Sequence, residues 1–145
     1  AIVDGADELD IVINLAALKN NDWQYLANEI NHLLSPIRQK NKVVNIIIET
    51  GILTEDEIIK CCELYSAAGV DSIKTSTGYA ERGATLEAVK LMRTHLAPSV
   101  KIKASDGIHT VDFAKQLIEA GANRLGCSSS VEIVQEAKKL ICMEE

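Results

Sequence analysis

Five short β-rich runs alternate with longer helical runs along this chain, and the β-rich runs are two-faced. That pattern limits the folds open to it more than any other feature. The runs are LDIVIN (9–14), VVNIIIE (43–49), DSIKTS (71–76), VKIKAS (100–105) and NRLGCS (123–128). In the first, Asp10, Val12 and Asn14 alternate with Leu9, Ile11 and Ile13. In the second, Asn45, Ile47 and Glu49 alternate with Val44, Ile46 and Ile48. In the third, Ser72, Lys74 and Ser76 oppose Ile73, and in the fourth Lys101, Lys103 and Ser105 oppose Val100, Ile102 and Ala104. Side chains of a strand point to opposite faces in turn, so one face of each strand is apolar and the other carries charge. Strands separated by helical stretches form βα units and a parallel sheet.

The helical runs have the apolar spacing that packing on a sheet requires. From Asp22 to about Gln39 the stripe is Trp23, Leu26, Ile30, Leu33, Leu34 and Ile37. Thr54-Glu55-Asp56-Glu57 reads as a capping box, followed by Ile58, Cys61, Cys62 and Tyr65. Helices are also expected from about Thr85 to Leu96, from Thr110 through Ile118, and from about Val131 to Ile141. A faint repeat punctuates the units: Gly5-Ala6-Asp7, Gly69-Val70-Asp71 and Gly121-Ala122-Asn123. Glycine just past a helix end can take the left-handed conformation that stops the helix. Ala1-Ile2-Val3-Asp4 reads as the last turn of a helix, so the expectation is that the chain begins inside a βα unit.

Two architectures compete. A five-stranded doubly wound sheet suits 145 residues. Helices cover both of its faces, so its central strands are apolar at nearly every position. A (β/α)8 barrel runs to roughly 200–250 residues, but its strands have an apolar outer face and an inner face that reaches the active site. The two-faced strands favour barrel units. One partial domain over 1–145 is expected, since only two prolines and no low-complexity stretch interrupt the chain.

Composition mostly excludes. The apolar fraction of 47% is too high for a disordered chain. A net charge of −6 argues against a general nucleic-acid binder. No apolar run approaches a membrane span and no signal-peptide pattern opens the sequence, so a cytoplasmic location is expected. Cys61, Cys62, Cys127 and Cys142 make neither a disulfide framework nor a zinc spacing, and read as reduced thiols. His32, His95 and His109 are scattered and make no ligand pair, so no metal site is expected.

Lys74, Lys103 and Asp10 share the polar parity of three different strands. A lysine aimed into a barrel interior is desolvated, which lowers its pKa, and a second lysine lowers it further. A neutral amine can attack a carbonyl and form a Schiff base. A carboxylate beside the pair can hold one ammonium and relay protons. A structural ion pair remains the other reading. Gly78, Asp106-Gly107 and Gly126-Cys127-Ser128-Ser129 each follow a strand, where barrel loops bind phosphate through backbone N–H groups. Simple helix capping by serine is the alternative. Trp23, on a helix stripe, reads as a packing residue.

Four ordered segments carry a resemblance: GADELDIVIN (5–14), IETG (48–51), IKTSTG (73–78) and KASDGI (103–108). Together they resemble the deoxyribose-phosphate aldolases, class I aldolases of the TIM-barrel type. The resemblance implies that the chain supplies the last five βα units, strands four to eight, with the first three units absent. It implies that Lys74 is the Schiff-base lysine, that Lys103 tunes its protonation, and that Asp10 belongs to the proton relay. It places the substrate phosphate at Gly78, Gly107, Ser128 and Ser129. The implied reaction is reversible cleavage of 2-deoxy-D-ribose 5-phosphate to glyceraldehyde 3-phosphate and acetaldehyde, a step of deoxyribonucleotide catabolism, with no metal or organic cofactor. The sequence departs from the family pattern at three places. Asp106 stands where a glycine is usual, Asn45 where a lysine is common, and His109 where an arginine is common. Five units leave two open sheet edges, so self-association as a homodimer or larger is expected, and a weakly active or inactive fragment is an alternative. A non-catalytic phosphate-binding α/β module is a third reading.

Overall fold

The computed structural model describes residues 1–144, with side chains described through Ile141. Five strands are present: β1 (Glu8–Val12), β2 (Val43–Ile47), β3 (Ser72–Lys74), β4 (Lys101–Ser105) and β5 (Arg124–Gly126). Six helices accompany them: α1 (Leu15–Lys19), α2 (Trp23–Gln39), α3 (Glu55–Ala68), α4 (Leu86–His95), α5 (Val111–Glu119) and α6 (Ser130–Glu144). Every strand pair is parallel and the order is β1-β2-β3-β4-β5.

That order decides between the two architectures. A doubly wound sheet reverses direction at a switch point and so places helices on both faces. Here each strand is laid beside the one before it. Right-handed crossovers that all step the same way put all the connecting helices on one face. The apolar parity lies beneath them: Val44, Ile46, Ile48, Ile73, Ile102 and Ala104 are buried against Leu26, Ile30, Cys61, Cys62, Val89, Met92 and Leu117. Each such aliphatic side chain withdrawn from water stabilises the fold by about 1.5–3 kcal/mol.

The opposite parity lines a concave face. Arg124 of β5 donates to Glu8 of β1 at 2.6 Å. In a flat sheet those strands would stand about 19 Å apart, four spacings of about 4.8 Å, beyond the reach of two side chains. The sheet is therefore strongly curled, as in a barrel wall. Because β1 and β5 are not hydrogen-bonded to each other, each keeps a free edge among the described residues.

Local signals behave as their chemistry requires. The capping box at Thr54 forms in both directions, with Glu57 N–H donating to Thr54 Oγ1 (3.2 Å) and Thr54 N–H to Glu57 Oε2 (2.8 Å). Gly5, Gly69 and Gly121 have φ of 100°, 76° and 119°, the left-handed region expected at the repeat. The regular strands are shorter than their β-rich runs. The run LDIVIN ends early because Asn14 caps a helix: its Oδ1 accepts from Ala17 N–H at 3.0 Å and opens α1. The run VVNIIIE ends because Glu49 turns left-handed (φ 58°) into a short 3₁₀ turn, Thr50–Ile52. Neither α1 nor this turn is legible in the periodicity. Residues 1–5 form a turn, with Asp4 N–H donating to the Ala1 carbonyl and Gly5 N–H to that of Ile2.

Cys61 and Cys62 are buried free thiols, and burial pushes both up, Cys62 to about 12. The Cys142 side chain lies outside the described ones. Trp23 packs on the helix layer, with the Lys60 ammonium 5.4 Å from its ring centre.

Candidate active site

Strand register brings Lys74 and Lys103 level with each other, as Cα partners of β3 and β4. Asp10 lies across the curl on β1. Its Oδ2 accepts from Lys74 Nζ at 2.9 Å and from Lys103 Nζ at 3.0 Å. The Lys74 and Lys103 side chains are only 16% and 18% exposed. Three residues far apart in sequence therefore meet on one carboxylate oxygen. The other oxygen, Oδ1, accepts from Asn45 Nδ2 at 2.8 Å.

Asn45 is 1% exposed, and its amide is in turn held by the Ser72 hydroxyl. Partial burial alone would raise the Asp10 pKa. Hydrogen bonds from Lys74, Asn45 and Lys103, with the charge of Lys103, outweigh it and lower the carboxyl to about 2. Asp10 is thus held as an anion between two amines. Asn45 was legible only as a departure from a sequence pattern; its place under Asp10 follows from register.

The strand ends above the lysines are tied by buried hydroxyls. Thr75 Oγ1 donates to the Ser105 carbonyl (3.2 Å) and accepts from Ser105 N–H (3.1 Å) and the Ser76 hydroxyl (3.0 Å). Ser105 Oγ donates to the Ser76 carbonyl at 2.9 Å. Thr75 adjoins Lys74 and Ser105 is two residues past Lys103, so this network holds the two lysine-bearing strands in a fixed relation.

A cleft of about 280 Å³ opens at the C-terminal ends of the strands. Lys74, Thr77, Gly78, Asp106, Gly107, His109, Gly126 and Ser128 are among its lining residues. Gly78, Gly107 and Ser128 thus come together along one cleft. Ser129 lies just beyond the lining, its carbonyl accepting from Ile133 N–H at the start of α6. Asp106 and Gly107 both have positive φ, 70° and 75°. That explains why glycine is favoured at 106, since L-residues meet a steric penalty there. Asp106 makes no ion pair among the described residues.

Gly83 packs against the backbone of Asp106. Its Ala84 neighbour donates to the Ser105 and Asp106 carbonyls at 3.1 and 3.0 Å. A Cβ at Gly83 would meet the Asp106 carbonyl oxygen at 2.4 Å, so no side chain fits. Sequence reasoning passed over Gly83 and Thr77, although both stand in the Gly- and Thr-rich stretch after Lys74. A second recess, about 380 Å³, opens toward the N-terminal ends of the strands, lined by Glu8, Asn45, Lys101, Lys103 and Arg124 among others. In barrel enzymes the chemistry is at the C-terminal end, which favours the first cleft.

This geometry can do one kind of chemistry well. A largely buried amine, a second amine sharing its counter-ion, and a neighbouring cleft bordered by Gly78 and Gly107 suit carbonyl attack on a substrate seated there.

A sequence model described as DeoC/LacD family aldolase matches residues 1–136. A deoxyribose-phosphate aldolase of Thermococcus kodakarensis is 50% identical over 137 residues, covering 94% of this chain and 61% of that protein. One from Lactococcus lactis is 45% identical over 135 residues, covering 93% and 60%. Among solved structures, an aldolase named QR15 superposes with a TM-score of 0.89 at 42% identity, covering 99% of this chain and 64% of its own. The tetrameric deoxyribose phosphate aldolase of Aeropyrum pernix superposes with a TM-score of 0.85 at 27% identity, covering 96% and 58%. The chain spans about three fifths of the length of the curated relatives it matches.

Proposed function

Because this chain belongs to the DeoC/LacD aldolase family, we propose that its cleft is the active site of a deoxyribose-phosphate aldolase, a lyase that works through a Schiff base on Lys74. The observation that carries the reading is the sharing of Asp10 Oδ2 by Lys74 and Lys103. In this mechanism the neutral Lys74 amine attacks the C1 aldehyde of 2-deoxyribose 5-phosphate. The carbinolamine loses water and leaves a protonated imine. The C3 hydroxyl gives up its proton, the C2–C3 bond breaks, and its electron pair moves into the imine. Glyceraldehyde 3-phosphate departs. The remaining enamine is protonated at C2 and hydrolysed, which releases acetaldehyde and frees Lys74.

Asp10 has a pKa of about 2 with both amines on it, too low to keep a proton at neutral pH. Its role is to hold the amines in place and to pass protons on to Lys103. The protonated imine keeps a positive charge and an N–H donor beside Asp10, so the carboxylate stays ionised while the C3 proton passes to Lys103. Gly78, Gly107 and Ser128, with Ser129 behind them, receive the phosphate.

In the same reading, the five strands correspond to strands four to eight of an eight-stranded barrel. Five of eight units is close to the 61% of the relative's length that the match covers. The free edges of β1 and β5, and Val12, 46% exposed on the inner face, are then covered by further barrel units or by another copy of the chain. A homo-oligomer is the partner this favours. The adjacent buried thiols Cys61 and Cys62 suit a reducing, cytoplasmic setting. No helix among the described residues is long and apolar enough to cross a membrane.

The test is release of acetaldehyde and glyceraldehyde 3-phosphate from 2-deoxyribose 5-phosphate. Turnover by the chain that disappears in Lys74→Ala supports the assignment. Turnover that persists in Lys74→Ala overturns it.

A further inference from the structure

We propose that Glu49 is a positioning residue that selects which backbone N–H of the Thr77–Gly78 turn is left for the substrate phosphate. The inference rests on the reading of the cleft as the phosphate site.

Glu49 is only 4% exposed and sits at φ 58°, a left-handed backbone that a side chain as long as glutamate rarely adopts. A buried carboxylate must be satisfied by donors. No cation pairs with Glu49 among the described residues. All its side-chain partners come from one residue of the cleft. Thr77 N–H lies 3.2 Å from Oε1 and 3.4 Å from Oε2, and the Thr77 hydroxyl donates to Oε2.

The consequence is directional. With its proton committed to Glu49, Thr77 Oγ1 can only accept, and it takes the N–H of Tyr79 at 3.1 Å. The N–H groups of Thr77 and Tyr79 are thereby used up. Gly78 lies between them with φ 98°, lines the cleft, and its N–H has no partner among the described residues. Glu49 thus leaves one of three successive amides unpaired among the described residues, the one at the cleft. Glutamine keeps the shape but loses the charge and puts an NH₂ donor in place of one of the two oxygens that face Thr77. Glycine removes the carboxylate and also suits the left-handed backbone, so Glu49→Gly does not add backbone strain.

The experiment titrates inorganic phosphate into the ¹⁵N-labelled full chain and into Glu49→Gln and Glu49→Gly, following the Gly78 and Gly107 amides. In the wild type the Gly78 amide is expected to shift saturably. In Glu49→Gly the Gly78 response is expected to weaken about tenfold in affinity while Gly107 still responds, with Glu49→Gln between. Unchanged Gly78 titrations in both variants overturn the positioning role. A wild type whose Gly78 and Gly107 amides both ignore phosphate overturns the phosphate reading itself, a separate failure. The matching kinetic readout is the ratio of kcat/KM for 2-deoxyribose 5-phosphate to that for 2-deoxyribose. It falls about tenfold if Glu49 acts through the phosphate, and an equal loss on both substrates overturns the proposal.

Discussion

The lysine cluster and the cleft beside it are built in opposite ways. Lys74, Lys103 and Asp10 stand on regular strands: the lysines are register partners on β3 and β4, and Asp10 meets them across the curl from β1. The cleft is lined mostly by the loops past those strands, and their backbone is unusual: Gly78, Asp106 and Gly107 in the lining, and Glu49 behind Thr77, all have positive φ. Strands give exact placement because each residue's direction follows from a period of two. Loops can turn N–H groups toward a ligand, but only where the chain accepts left-handed conformations. The part of the site assigned to covalent chemistry therefore rests on the stiff scaffold. The part assigned to anion binding rests on local strain and buried hydrogen bonds.

Four changes can break or sharpen that contrast. Asp10→Asn has the largest expected effect, a fall in turnover on the order of a hundredfold to a thousandfold, because it removes the anion between the two amines. Steady-state kinetics measures it, and the fold should survive. Thr75→Val comes next. It leaves the Ser105 N–H and the Ser76 hydroxyl without their partner in a buried network, while the Ser105 carbonyl keeps the Ala84 N–H. The expected cost is about 1–3 kcal/mol of stability, read by denaturant unfolding.

The third test is pH. Asp10 is lowered from 3.8 to about 2 in the folded chain, so the folded state favours its ionised form. The stabilisation is complete above the unfolded pKa, near 4, and is lost as pH falls toward 2. A shift of that size corresponds to about 2 kcal/mol. With the carboxylate partly exposed, solvent screening leaves about 1 kcal/mol. The difference in unfolding free energy between the wild type and Asp10→Asn should shrink by that amount between pH 5 and pH 2. The smallest effect belongs to Asp106→Gly. It removes a carboxylate from the cleft and relieves a positive φ, so phosphate should bind roughly threefold more tightly and the fold should gain a few tenths of a kcal/mol. Phosphate titration and thermal unfolding read the two parts.

The same contrast explains what was legible in the sequence. Side-chain parity alone marked Lys74, Lys103 and Asp10 as facing one side, and it favoured a barrel wall over a doubly wound sheet, which the strand order then decided. The helix stripes on Leu26 to Ile37 and on Ile58 to Tyr65 were equally plain, because burial enforces their period. Asn14 was misread as a strand residue, since capping chemistry overrode the alternation. Asn45 under Asp10, the Thr75–Ser105 network and the Glu49–Thr77 contact could not be read. Each depends on which strand ends become neighbours, and that is a property of register and curl. Gly83 shows the limit most simply: its need for glycine comes from the approach of Asp106, 23 residues further along the chain.

The central claim is that Lys74, and not its neighbour on the same carboxylate oxygen, is the nucleophile. Borohydride reduction in the presence of 2-deoxyribose 5-phosphate, followed by peptide mapping, tests it directly. A stable adduct is expected on the peptide carrying Lys74 and none on that carrying Lys103. An adduct on Lys103, or no adduct on either lysine at saturating substrate, would contradict it.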